Sequence, residues 1–237
     1  MPRYEFVLLD ADETLFDFHR SEDQALRKVL TDRGYPTDDA TIALYLKINS
    51  ALWDANARGE VDQDFLTVER FAAFMRVMGG DHDPRQFNRD YLEALGSGCY
   101  LLPGAVEFCQ ALADGGCKLA IVTNGLPTAQ WGRFNRSPLK EIIPHMFVSM
   151  ELGCQKPQPE YFDKVCDSLN ITDRSRAIVV GDNLRSDILG GLNAGIDTMW
   201  YAPDGKTPPA YPAPTYTVRS YEEALSILLP NAGQERP

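Results

Sequence analysis

Asp10 and Asp12 stand two residues apart in FVLLDADETLF, directly after an apolar run, with Thr14 two positions further on. A strand sends alternate side chains to opposite faces, so residues i and i+2 share one face. Here they lie at the strand's carboxyl end, where open α/β sheets bind ligands. One aspartate in such a pair can attack as a covalent nucleophile and form an aspartyl-phosphate. The other can protonate the leaving oxygen and later activate water. The competing reading is a strand that ends in an Asp-rich turn, because Asp is a common turn residue.

Three further groups lie at similar junctions. Thr123 and Asn124 follow the run LAIV, ahead of Pro127 at a helix start. A hydroxyl and backbone N–H groups there can hold phosphoryl oxygens or simply cap the helix. Lys156 lies in GCQKPQPEYF, followed by Pro157 and Pro159, which restrict the backbone around it. A fixed cation at that place offsets carboxylate repulsion and charge on a transferring phosphoryl group, although most lysines are solvated. Asp182 and Asp187 lie in IVVGDNLRSDILGG. One carboxylate from that loop, with Asp10 and a backbone carbonyl, would satisfy Mg²⁺, which takes oxygen ligands and keeps waters. Asp187 also suits the positive end of a helix dipole.

The runs that must position these groups are 6–9, 119–122, 177–180 and 197–201, which read as parallel strands buried on both faces. Helical spacing over 104–114, 127–136, 158–169 and 186–194 separates them and predicts a doubly wound α/β sheet. Between the first strand and Pro103 the periodicity is helical throughout, with candidate helices at 21–33, 39–58, 62–78 and 84–95. That segment reads as an inserted all-α lobe. APDGKTPPAYPAPTY (202–216) reads as a surface connection before a short edge strand and a helix over 221–229. The last residues, NAGQERP, are expected to fray.

The chain has 237 residues and a formal net charge of −11, which opposes non-specific binding to nucleic acid. An anionic substrate then needs a divalent cation and a local lysine to approach the carboxylates. Five cysteines form no CxxC pair, against both a disulfide framework and a thiolate zinc site. Cys154, two before Lys156, has no evident partner base. His19, His82 and His145 are scattered, in expected loops or edges, and read as surface residues rather than a metal cluster. No apolar run approaches the roughly 18 residues of a membrane span, and no signal segment opens the chain. A cytoplasmic protein is expected, without membrane or polymeric nucleic-acid partners.

DADETL, IVTNG, QKPQPEYF and GDNLRSD, in that order, resemble motifs one to four of the haloacid dehalogenase (HAD) superfamily, covering about residues 5–225. The resemblance implies a Rossmann-like core, residues 1–16 and 99–237, with a helical cap, residues 17–98. It implies Asp10 as nucleophile, Asp12 as acid/base and as Mg²⁺ ligand through its carbonyl, and Thr123 and Asn124 as phosphate clamp. Lys156 would be the catalytic and phosphate-binding cation, Asp182 a Mg²⁺ ligand with Asp10, and Asp187 a supporting acid. Dehalogenating members lack a catalytic aspartate two residues after the nucleophile and the transport ATPases carry Thr there, so Asp12 points to phosphomonoesters.

The wording around the motifs is most similar to bacterial pyrimidine 5′-nucleotidases, which implies a small phosphorylated substrate, a nucleotide first, and a monomer or small homo-oligomer. Phe16, Phe18 and Trp53 are the aromatic candidates for stacking on a base. Hinges are expected near 16–20 and 96–103. The alternatives are a sugar-phosphate or phosphoglycolate phosphatase, a β-phosphoglucomutase-like isomerase, and a non-catalytic phospholigand-binding protein.

Overall fold

A computed structural model describes residues 2–230; the segment 231–237, expected to fray, lies outside the described residues. The order is β1 (Phe6–Leu9), α1 (Phe18–Thr31), α2 (Asp39–Ala57), α3 (Gln63–Met78), α4 (Pro84–Ser97) and α5 (Ala105–Asp114). There follow β2 (Lys118–Thr123), α6 (Pro127–Arg136), β3 (His145–Val148), α7 (Ser149–Leu152) and α8 (Pro159–Leu169). The described chain ends with β4 (Ala177–Gly181), α9 (Leu189–Asn193), β5 (Asp197–Tyr201), β6 (Tyr216–Val218) and α10 (Tyr221–Leu228).

All six strands are parallel, in the order β3-β2-β1-β4-β5-β6. The order reverses at β1 and β4, the switch point where such sheets leave a crevice beyond the strand ends. Alternation along the strands feeds two apolar layers. Val7, Leu9, Leu119, Ile121, Ile178 and Val180 pack with α5 and α10 through Phe108, Leu112 and Leu228. Phe6, Leu8, Ala120, Val122 and Val179 pack on the other face with Tyr161, Phe162 and Val165 of α8. Two-sided burial is why these strands read as continuous apolar runs.

The first four helices begin alike. Asp17, Asp38, Asp62 and Asp83 each accept a hydrogen bond from a backbone N–H of the first turn: Arg20, Thr41, Phe65 and Arg85. Their apolar stripes meet in a separate cluster that includes Leu26, Leu30, Tyr45, Phe71, Phe74, Phe87 and Tyr91. Leu126 and Ala129, flanking the start of α6, complete it. The seam between α4 and α6 is glycine on glycine: a Cβ on Gly132 would lie 2.7 Å from the Cα of Gly96. Only hydrogen at both positions permits that approach.

Four expectations need correction. β3 had no counterpart in the sequence reading, since its four residues follow Pro144, sit at the sheet edge and are only half buried. The helix expected over 186–194 instead starts at Leu184 with one π-helical turn to Ile188, because the Asn183 side chain accepts from the N–H groups of Arg185 and Ser186. His19 lies within α1, though exposed as expected. Phe16 is buried among core residues and bridges Leu101, so it has no free face for a base. Among the described residues, no helix is long and apolar enough to cross a membrane.

Candidate active site

The carboxyl ends of β1 and β4 bring Asp10 and Asp182 together. Asp10 follows β1 directly, and its N–H donates to Val180 O at 2.8 Å. Asp182 follows β4, and its N–H donates to Thr14 Oγ1 at 3.1 Å. Thr14 thus ties the first loop to the last. Tyr221 of α10 donates to Thr14 O at 2.7 Å, and Trp200 Nε1 donates to Asp182 O at 2.7 Å. Between Asp12 and Asp17 the chain turns sharply through Glu13, a non-glycine residue with φ of 57°.

Lys156 reaches this point from the loop before α8. Its side chain is 1% exposed, and Nζ donates to Asp10 Oδ1 at 2.6 Å, Asp187 Oδ1 at 2.7 Å and Val122 O at 2.8 Å. Every ammonium proton has an acceptor. Burial alone would lower the lysine's pKa; the charges of Asp10 and Asp187 outweigh it and hold Lys156 above the usual range. Asp187 is fully buried, its second oxygen accepting from Asn183 N–H at 3.0 Å. Gly181 makes room: a Cβ there would lie 2.3 Å from Asp187 Oδ2.

Carboxylate oxygens of Asp10, Asp182 and Asp187 all lie within 4.8 Å of one another. One lysine cannot balance three carboxylates. Burial, then Asp187, pushes the Asp182 carboxyl up to about 7, and the same two causes, in that order, raise Asp10 well above its usual range. A buried set of hard oxygen donors with excess negative charge fits a divalent cation such as Mg²⁺. Asp187 already has both oxygens engaged, which leaves Asp10 and Asp182 as the carboxylates with capacity to ligate.

The remaining sequence candidates fall into place unequally. Thr123 is buried at the end of β2, and its Oγ1 accepts from Gly125 N–H at 3.0 Å. The Asn124 carboxamide is committed to the Lys156 backbone, donating to its O at 2.8 Å and accepting from its N–H at 3.0 Å. It fixes the lysine loop rather than presenting a free side chain to phosphate. Asp12 turns away from Lys156 toward α6, where Arg133 Nη2 donates to Oδ1 at 2.6 Å and Gln130 Nε2 to Oδ2 at 2.8 Å. Neither α6 residue was among the sequence candidates. An Arg and a Gln three apart on a helix look like a solvated face, and only their burial sets them apart.

The α2–α3 end meets the same loops. Gln63 Nε2 donates to Asn124 O at 3.0 Å, Gln155 Nε2 to Asn56 O at 3.2 Å, and Arg185 pairs with Asp54 at 3.4 Å. Trp53 is half-buried on α2, packed against the helical cluster.

The model of the haloacid dehalogenase-like hydrolases matches residues 4–195. The chain is 35% identical to the HAD-hydrolase YfnB of Bacillus subtilis over 96% of this chain and 97% of that one. A solved structure of YfnB bound to magnesium, described as revealing interdomain movement, superposes with a TM-score of 0.89 over 95% of this chain and 99% of that one. The pyrimidine 5′-nucleotidase PynA of Streptococcus pneumoniae is 32% identical over 95% of both chains. The pyrimidine 5′-nucleotidase YjjG of Escherichia coli is 32% identical over 95% of this chain and 98% of its own. With four motifs converging on one crevice and a family match across most of its length, the chain belongs to the haloacid dehalogenase-like hydrolases.

Proposed function

We propose that this hydrolase cleaves small phosphate monoesters, nucleoside monophosphates with a pyrimidine base foremost, through an aspartyl-phosphate on Asp10. The observation that carries the reading is the cluster of Asp10, Lys156, Asp182 and Asp187, a nucleophile with a buried cation beside it and an unbalanced acidic set beyond. Asp10 Oδ attacks phosphorus and the ester P–O bond breaks, while Asp12, which enters this step as the carboxylic acid, gives its proton to the departing alkoxide. Asp12, now a carboxylate, takes a proton from water as that water attacks the phosphorus. Inorganic phosphate leaves and Asp10 is regenerated. Lys156 stabilises charge on the transferring group, and Thr123 holds a phosphoryl oxygen. Asp10, Asp182 and the Asp12 carbonyl would hold Mg²⁺, which supplies electrophilic charge to the phosphoryl oxygens.

Residues 17–98 act as a cap that closes over the crevice and excludes bulk water, pivoting near 16–20 and 96–103. The interdomain movement described for YfnB supports this, as do the contacts that the α2–α3 end makes with the loops around Asn124, Gln155 and Arg185. Pyrimidine preference rests on PynA and YjjG, both similar over nearly the whole chain. The test is phosphate release from UMP, dUMP, dTMP, CMP, AMP, hexose phosphates and phosphoglycolate, with Mg²⁺ or EDTA. Turnover concentrated on the pyrimidine nucleotides is expected, lost in EDTA and reduced at least about 10³-fold by Asp10→Asn. Metal-dependent turnover confined to sugar phosphates would overturn the substrate. Full activity of Asp10→Asn would overturn the mechanism.

A further inference from the structure

Asp12 is held on both carboxylate oxygens by one face of α6. Arg133 and Gln130 stand three residues apart, on neighbouring turns. Each gives one donor, at 2.6 Å to Oδ1 and 2.8 Å to Oδ2. The surroundings are arranged for that grip. A Cβ on Gly125 would lie 1.9 Å from Gln130 Nε2, so the glycine after Asn124 opens the path by which Gln130 reaches Asp12. The Arg133 guanidinium lies 5.2 Å from the ring centre of Phe16 and 5.6 Å from that of Phe18, which restrict where it can swing.

The energetics do not favour this arginine as a packing residue. Its side chain is 1% exposed, its carboxylate partner is 28% exposed, and its Nε and Nη1 have no hydrogen-bond partner among the described residues. Burying a guanidinium with a single ion pair forfeits more solvation than a well-packed apolar side chain would. What the arrangement provides is direction: one donor from Arg133 on Oδ1 and one from Gln130 on Oδ2 set the orientation of the Asp12 carboxylate.

We propose that Arg133, assisted by Gln130, is the positioning residue for Asp12, holding its carboxyl group where it exchanges a proton with the leaving oxygen. This rests on the reading of Asp12 as the acid/base above. Arg133 touches neither nucleophile nor lysine, so it acts on leaving-group departure and not on phosphoryl binding.

The test compares two leaving groups. An alkoxide from a nucleoside monophosphate needs a proton as it departs; p-nitrophenolate does not. For Arg133→Met, kcat on UMP, or on the best alkyl monophosphate found, should fall about 10²-fold. On p-nitrophenyl phosphate it should fall less than tenfold, with KM for both within about threefold. Arg133→Lys should recover part of the alkyl-ester rate, and Gln130→Leu should show the same bias in smaller measure. Adding Arg133→Met to Asp12→Ala should bring no further loss, because the two act as a unit. If Asp12→Ala itself shows no leaving-group bias, the acid/base reading fails. If Asp12→Ala shows it and Arg133→Met slows both substrates equally, or neither, the positioning role is overturned. Thermal unfolding accompanies each variant; should Arg133→Met not fold, the leaving-group ratios of Arg133→Lys and Gln130→Leu decide.

Discussion

Two cations are buried against the loop that follows β1, Lys156 on Asp10 and Arg133 on Asp12, and are handled in opposite ways. Lys156 has an acceptor for each of its three protons, two of them on carboxylates. Arg133, equally buried, has one carboxylate and, among the described residues, two nitrogens without partners. The lysine sits among more negative charge than it can balance; the arginine sits between aromatic rings. Lys156 therefore belongs to the charge balance of the site and is bound into its stability. Arg133 contributes direction to one carboxylate.

Removing each cation in turn should break that symmetry. Lys156→Met leaves Asp10 and Asp187 buried without compensation and should cost about 3–5 kcal/mol of stability in EDTA, read from denaturant unfolding. Mg²⁺ should restore part of the stability by neutralising Asp10, but not the activity. An unfolding midpoint equal to wild type in EDTA would show that the lysine is not the counter-charge argued here.

A smaller effect follows from proton uptake. The Asp182 carboxyl is raised from 3.8 to about 7 in the folded chain, so its folded form binds the proton more tightly than its unfolded form. Such a group contributes stability that is fully present below its unfolded value and lost as pH rises through about 7. In EDTA, melting temperature should therefore rise as pH is lowered from about 8 to about 5. The gain on adding Mg²⁺ should be greatest above pH 7 and shrink below it, because ligation requires the carboxylate. A Mg²⁺ increment independent of pH would remove Asp182 from the ligand set.

The smallest shift is expected for Arg133→Met. Replacing a buried, incompletely paired guanidinium with an apolar side chain should change stability by no more than about 1 kcal/mol, in either direction. A loss as large as that of Lys156→Met would show that the two buried cations are equivalent.

Much of the frame was legible because it is local. β1, β2, β4 and β5 are apolar runs that end at polar turns, and the helices before Pro103 show through their apolar spacing, although the first starts at Phe18 and not at 21. Asp10 and the loop of Asp182 and Asp187 were legible because each follows its own apolar strand, and Lys156 because Pro157 and Pro159 follow it. β3 escaped because four half-buried residues after a proline have no pattern of their own. The π turn at Leu184 escaped because a side-chain cap, not a periodicity, sets it.

The sequence by itself determined which residue types stand at the carboxyl ends of the strands, since a strand's burial and a helix's start are written within a few neighbouring residues. Only the tertiary structure decided whom each of them meets. Lys156 lies 146 residues from Asp10, and Arg133 lies 121 residues from Asp12. At such separations no spacing along the chain marks a partner. Parallel strand order, the glycine seam between α4 and α6 and the burial of α6 bring these groups within hydrogen-bonding distance.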